Sequence, residues 1–162
     1  MNKNLSVFIL FLLLFFVVGC ASRDEPSFVF PEGIDDVNTS VRLSPLFQEK
    51  FKAESGTDLM VENISDYELI YFSADSDVYL YYLQGREWLS AKNNVIYYPS
   101  SDTYLRPPKD GVPQWLTIRI KPILPDSDRK TKIRVLVIAT VMEKDMPTDE
   151  KVAAYIDLWA EP

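Results

Sequence analysis

The ten residues Ile133 to Met142, IRVLVIATVM, decide the fold. Ile133, Val135, Val137, Ala139 and Val141 occupy one parity, and Leu136, Ile138 and Met142 the other. A strand with one wet face alternates apolar and polar residues. A run that is apolar on both parities predicts a strand in the middle of a sheet, covered on both sides over Val135 to Ile138. Val135 and Val137 should then face a core between two sheets. Leu136 and Ile138 should be covered from the other side by whatever precedes the sheets, a short helix or the N-terminal tether. Turn signals bracket the run: Pro122, Pro125 and the charged stretch Asp126 to Lys132 before it, and the polar stretch Lys144 to Lys151, with Pro147, after it.

The neighbouring stretches read as strands too. Gln114 to Lys121, QWLTIRIK, sets Leu116, Ile118 and Ile120 on one face against Thr117, Arg119 and Lys121 on the other, one face buried and one wet. On that wet face, Arg119→Ala should change stability by less than about 0.5 kcal/mol. Val152 to Ala160 alternates Val152, Ala154, Ile156 and Leu158 with Ala153, Tyr155, Asp157 and Trp159. Upstream, Asp58 to Ile64 and Tyr67 to Ser73 flank Ser65-Asp66, a pair suited to a hairpin turn. Val78 to Gln84 and Glu87 to Ala91 flank Gly85-Arg86, where Gly in the first central position fits a II′ turn. Asn94 to Tyr98 is a further short strand, and Pro99 to Pro113 reads as a loop dense in Pro, Ser, Asp and Gly. Strands joined by turns, with no helical crossover between them, predict a mainly β fold, an antiparallel two-sheet sandwich. One short helix is expected before it, from about residue 45 to 54. Ser44-Pro45 has the form of an N-cap followed by Pro at the first helical position, Leu46, Phe47 and Phe51 share a side, and Gly56 is placed to end it.

Residues 21–39 mix Pro26, Pro31, Gly33 and acidic side chains with few apolar ones and read as a flexible tether. Before them, Lys3 precedes an unbroken apolar run from Val7 to Val18, and Gly19-Cys20 closes it. A spanning helix needs about 20 apolar residues. This shorter run with a basic start and a small-residue end reads as a secretory signal peptide. Its end, Val17-Val18-Gly19-Cys20, resembles the lipobox of bacterial lipoproteins, with Val17 in place of the commoner Leu. The resemblance implies that residues 1–19 are removed and that Cys20 carries a thioether-linked diacylglycerol and usually an N-acyl chain. The expected organisation is a signal peptide over 1–19, an acylated Cys and tether over 20–40, and a β-sandwich over 41–162. Ala21 and Ser22 lack the Asp that retains lipoproteins of enteric bacteria in the inner membrane. The domain is expected outside the cytoplasm, anchored to the cell membrane or the outer membrane through Cys20.

Residue types narrow the chemistry. The formal charge of −7 disfavours nucleic acid and anionic head groups as partners, so membrane contact is expected from the lipid alone. Cys20 is the single cysteine, which leaves stability to the core. There is no histidine, which excludes Ser-His-Asp and Cys-His catalysis and disfavours catalytic zinc. Asp75 with Asp77, and Asp126 with Asp128, have Asp-x-Asp spacing, but no Gly or Glu completes a Ca²⁺ loop, so they read as solvated turn carboxylates. No carboxylate pair sits in a recognisable hydrolase frame. No cofactor, no metal and no enzymatic activity are expected.

Tyr79, Tyr81, Tyr82, Trp88, Tyr97, Tyr98 and Tyr104 crowd the middle of the chain. A flat row of rings on a sandwich face can bind sugars or partners, and Tyr79, Tyr81 and Trp88 are the candidates. Tyr79 and Tyr81 share a face with Leu83, and Tyr82 lies with Val78 and Leu80, so one set must be mainly core.

Three features together resemble the immunoglobulin-like sandwich borne by many bacterial lipoproteins: Val61-Glu62-Asn63 before its turn, the strand Tyr79-Leu80-Tyr81-Tyr82 turning into Glu87-Trp88, and Leu105-Arg106-Pro107-Pro108 ahead of Trp115 to Ile120. The resemblance covers about residues 57 to 142 and implies an architecture without an activity. The sequence thus points to a lipid-anchored, non-enzymatic module that contacts protein partners in the cell envelope. The alternatives are a carbohydrate- or other ligand-binding lipoprotein using surface aromatics, or an inhibitor-like sandwich presenting the Pro99 to Pro113 loop.

Overall fold

In a computed structural model of the chain, described over residues 26–91, 95–97, 102–110, 112, 114–125 and 128–162, the IRVLVIATVM run lies within a strand of thirteen residues, Thr131–Glu143. In chain order the strands are β1 (Ile34–Val37), β2 (Val41–Pro45), β3 (Lys50–Lys52), β4 (Thr57–Asn63), β5 (Leu69–Ser73), β6 (Val78–Gln84), β7 (Glu87–Ser90), β8 (Val95–Tyr97), β9 (Asp102–Leu105), β10 (Trp115–Lys121), β11 (Thr131–Glu143) and β12 (Met146–Glu161). A single helical turn, α1 (Ala74–Asp77), sits between β5 and β6. One sheet has eight strands, with β11 between β12 on one side and β5 and β6 on the other; β9 and β7 lie beyond these, and β1 and β3 line the far edge of β12. The second sheet has four strands, in the order β2-β4-β10-β8. The two sheets make a mostly antiparallel sandwich, an architecture that fits an immunoglobulin-like domain.

The two parities of β11 serve two cores. Ile133, Val135, Val137, Ala139 and Val141 join Leu59, Val61, Ile118 and Ile120 from the four-stranded sheet in the apolar layer between the sheets. Leu136 and Ile138, with Ala153, form a second cluster on the outer face, covered by Phe28, Phe30, Ile34 and Val37. The cover comes from the N-terminal segment and not from a helix. Thr117, Arg119 and Lys121 face away from the core in β10, and Val152, Ala154 and Leu158 of β12 face into it, as their alternation requires.

Residues 45–54 do not form the expected helix. Pro45 ends β2, opposite Leu59 of β4, and the Leu46 N–H continues the ladder to the Asp58 carbonyl at 3.0 Å. Because β2 is an edge strand, a proline there removes no ladder hydrogen bond. Lys50–Lys52 run parallel to Trp159–Glu161, and the open edge of β12 supplies their backbone partners. Phe51 packs on the main core, while Leu46 and Phe47 stay exposed. A tertiary hydrogen-bonding partner has overridden a local capping signal. Gly56 sits at φ +68, where a Cβ would lie 2.5 Å from the Ile120 carbonyl oxygen, so it serves a close backbone approach at the turn into β4.

Ser65-Asp66 joins no hairpin either, because β4 belongs to the four-stranded sheet and β5 to the eight-stranded one. Asn63, fully buried, makes this crossing. Its Oδ1 accepts the Ser65 N–H at 3.0 Å and the Ser65 hydroxyl at 2.7 Å, and its Nδ2 donates to the carbonyls of Leu105 at 3.1 Å and Tyr67 at 3.3 Å. The side chain replaces ladder bonds lost where the chain changes sheets. The hairpin around Gly85-Arg86 is present, with Gln84 opposite Glu87 and Gly85 at φ +65. Two strands arise where loop or tether was expected. Asp102–Leu105 pairs with β5 inside the Pro99 to Pro113 stretch, of which residues 99–101, 111 and 113 lie outside the described part. Ile34–Val37 pairs with β12 in the segment read as a tether. That segment is therefore part of the fold from Phe28 onward.

β11 and β12 are joined by a two-residue turn, Lys144-Asp145, at φ 49 and 63. This is the pattern of a I′ turn built without the Asn-Gly that tolerates it best. Lys144→Asn combined with Asp145→Gly is expected to stabilise the protein by about 1 kcal/mol, seen as a higher melting temperature. An unchanged or lower value would reject that turn geometry.

Candidate functional site

The candidate aromatics lie on the outer face of the eight-stranded sheet. Strand alternation sends Val78, Leu80 and Tyr82 of β6 to the core between the sheets and Tyr79, Tyr81 and Leu83 outward. Register then places Trp88 of β7 opposite Leu83, Arg134 of β11 opposite Tyr81, and Asp157 of β12 opposite Arg134. Tyr79, Tyr81 and Trp88 are each half-buried on this face.

At the centre of this face is an arginine that sequence reading passed over. The Arg134 side chain is 7% exposed. Its Nε donates to Asp157 Oδ1 at 2.6 Å and its Nη2 to Oδ2 at 2.8 Å, a bidentate pair. Lys132 Nζ lies 3.1 Å from the same Oδ2. Burial alone would push the Asp157 carboxyl up. The hydrogen bonds from Arg134 and Lys132, with the two positive charges, outweigh it and hold the group below its ordinary value of 3.8. Three rings surround the guanidinium, with Trp88 and Tyr155 each 4.3 Å and Phe28 4.9 Å from Cζ to centroid. Phe28 meets Tyr81 edge-on at 4.8 Å and Trp88 at 6.2 Å, and Phe30 lies 5.7 Å from Tyr155. The signal for Arg134 was present in the sequence as a lone charge inside an apolar strand, opposite an equally lone Asp157.

The N-terminal segment closes this face. Phe28 and Phe30 point inward while Val29, between them, is 85% exposed, the alternation of an extended chain lying on a sheet. Asn38, at φ 62, fixes the far end: its N–H donates to the Ala153 carbonyl and its Oδ1 accepts the Tyr155 N–H, both at 2.8 Å. The rings therefore pack edge-to-face under a strap rather than in a flat row. Burial pushes the Tyr81 phenol up, with the neighbouring Tyr79 adding to it. The Trp88 indole N–H is buried without a hydrogen-bond partner among the described residues. With both Asp157 oxygens engaged and the guanidinium ringed, this arrangement fixes the N-terminal segment in place.

The other candidates lie apart. Asp77 Oδ2 accepts the Ser73 N–H at 2.8 Å, closing α1, and Asp128 is exposed. The Asp75 side chain and Asp126 lie outside the described part, as do Cys20 and the rest of residues 1–25. No helix among the described residues is long and apolar enough to cross a membrane.

No family model matches the chain, and no curated protein sequence matches it. Among solved structures, the Salmonella enterica SafA pilin in complex with the SafB chaperone is similar to 78% of this chain at 18% identity, with a TM-score of 0.48, and this chain spans 58% of that one. A likeness at that level carries no statement about function.

Proposed function

We propose that this protein is a lipid-anchored, non-enzymatic β-sandwich held outside the cytoplasm, and that it contacts protein partners in the cell envelope through the outer face of its four-stranded sheet. The observation that supports it is the asymmetry of the two outer faces. The middle of the eight-stranded sheet's outer face is covered by the chain's own N-terminal segment. The outer face of the four-stranded sheet carries Arg42, Trp115 and Arg119 exposed, with Trp115 at 54%. Glu62, the register partner of Trp115, pairs with Arg42 at 3.8 Å, and four residues farther along β10 Arg119 pairs with Asp58 at 3.2 Å. An exposed Trp among polar and charged groups is a usual centre for a protein contact. Ligand binding through Tyr79, Tyr81 and Trp88 would require Phe28 to leave them, which makes it the weaker reading.

Two experiments test the proposal. Cys20→Ser is expected to abolish incorporation of labelled palmitate and cleavage after Gly19; unchanged labelling would defeat the anchor. A photo-crosslinking residue at Trp115 is expected to yield a discrete adduct with an envelope protein in intact cells, while the same residue at Glu143, on the rim, yields none. Equal results at the two positions would defeat the assigned face.

A further inference from the structure

Beyond Phe28, the outer face of the eight-stranded sheet runs into a cleft of about 370 Å³. Gly85 of the β6–β7 turn, Arg129 and Lys130 just before β11, Lys132 within it, and Trp159 of β12 wall it. In a chain of net charge −7, none of the described residues lining this cleft is acidic. All three cations are engaged, to different degrees. Lys132 is held by Asp157 at 3.1 Å and is part of the wall. Lys130 lies 3.8 Å from Glu161, and both of those side chains are well exposed, so another anion can exchange into that pair. The Lys130 ammonium sits 4.7 Å above the Trp159 ring, which is itself 38% exposed, and Arg129 is exposed beside it.

The position of the cleft gives it a meaning. Trp88 touches Phe28 on one side, at 6.2 Å, and Lys132 on the other, at 5.9 Å. The cleft therefore lies one ring away from the segment that leads back toward Cys20. Cys20 precedes Phe28 by eight residues, a length of chain that spans at most about 28 Å when extended. A lipid on Cys20 keeps this end of the sheet within reach of the head groups.

We propose that the cleft takes up the phosphate of an anionic lipid head group in the membrane that carries the anchor, and so fixes the domain's orientation on that membrane. The proposal rests on the lipid-anchor reading above. A guanidinium fork and an ammonium are the groups that bind phosphate oxygens, and a half-exposed indole suits the head-group layer. Two or three cations attract a head group weakly on their own. The anchor supplies the remainder by holding head groups at a high effective concentration.

The test uses the mature, lipidated chain, ¹⁵N-labelled, in neutral detergent micelles and titrated with inorganic phosphate. Saturable shifts are expected at the amides of Gly85, Lys130 and Thr131 and at the Trp159 indole. Arg129→Gln combined with Lys130→Gln, both at exposed positions, should raise the midpoint about tenfold with an unchanged thermal melt. In vesicles, hydrogen exchange over residues 129–132 should slow when phosphatidylglycerol is mixed with phosphatidylcholine, and not with phosphatidylcholine alone. Shifts indifferent to the double substitution would overturn the proposal at the cleft. Phosphate binding with identical exchange in both vesicles would assign the site to a soluble phosphate and overturn the head-group assignment. A chain that binds phosphate but takes no palmitate on Cys20 would overturn it through the anchor, leaving the cleft's anion chemistry intact.

Discussion

Val137→Asp is expected to yield no folded protein. Val137 is fully buried in the layer between the sheets, paired on one side with Val78 of β6 and on the other with Ala154 of β12. The layer around it is apolar, so a carboxylate there would be buried without a counter-charge. An unpaired buried charge costs several kcal/mol against a total stability of about 5 to 15. Neutralising it by taking up a proton would still leave a polar group without partners. The comparison is Arg119→Ala on the opposite sheet. The structure raises its expected cost above the 0.5 kcal/mol read from the sequence, because Arg119 Nη1 reaches Asp58 at 3.2 Å and Nη2 donates to the Ser55 carbonyl at 2.6 Å. These contacts are half-exposed, so the loss stays near about 1 kcal/mol. Circular dichroism melts decide it: Arg119→Ala should melt cooperatively a few degrees below the parent, and Val137→Asp should show no transition. Equal melting temperatures for the two would place β11 outside the core.

The second large effect belongs to the ion cluster under Phe28. Asp157→Asn leaves the nearly buried Arg134 guanidinium, and Lys132 beside it, without their shared carboxylate. Removing one member of a buried pair is expected to cost about 3 kcal/mol, measured by urea unfolding. Replacing both groups with apolar ones, Arg134→Met with Asp157→Leu, should recover part of that loss, because it removes the stranded Arg134 charge while Lys132 still loses Asp157. A double variant no more stable than Asp157→Asn would show that the cluster contributes by its charge and not merely by being paired. The pH dependence has a definite sign. The folded carboxyl titrates below its unfolded value of 3.8, so its contribution is fully present above that value and is lost as pH falls through the lower folded value. Wild type should therefore lose stability more steeply than Asp157→Asn as pH falls below the unfolded value of 3.8. Parallel curves would mean that the carboxyl is not depressed.

How much of this was legible in the sequence depended on the range of the forces involved. Side-chain alternation is a local rule, and it sorted the two faces of β6, β10, β11 and β12, while leaving open which set of β6 tyrosines faces the core. It also required a cover over Leu136 and Ile138. The same rule could not distinguish Ser65-Asp66 as a crossing between sheets from Gly85-Arg86 as a hairpin, since both are short polar links between apolar runs. What separates them is the buried Asn63 and its bonds to Leu105 and Tyr67, of which the Leu105 partner is 42 residues away. Local signals misled at Ser44-Pro45, where the open edge of β12 offered residues 50–52 backbone partners that no helix of theirs would have used. The aromatic cluster was legible as composition. Its central Arg134 and its Phe28 cover were not, because each is meaningful only through residues far along the chain.

The sequence by itself therefore determined the mainly β class, the buried parities, the position of β11 at the centre of a sheet and the expectation of an acylated Cys20, because each rests on periodicity or on a short contiguous motif. Only the tertiary structure decided which sheet each strand joins, that residues 28–37 belong to the domain rather than to a tether, and that Arg134 and Asp157 pair beneath Phe28. Those outcomes depend on hydrogen-bonding edges and counter-charges brought together from distant parts of the chain, which no local pattern encodes.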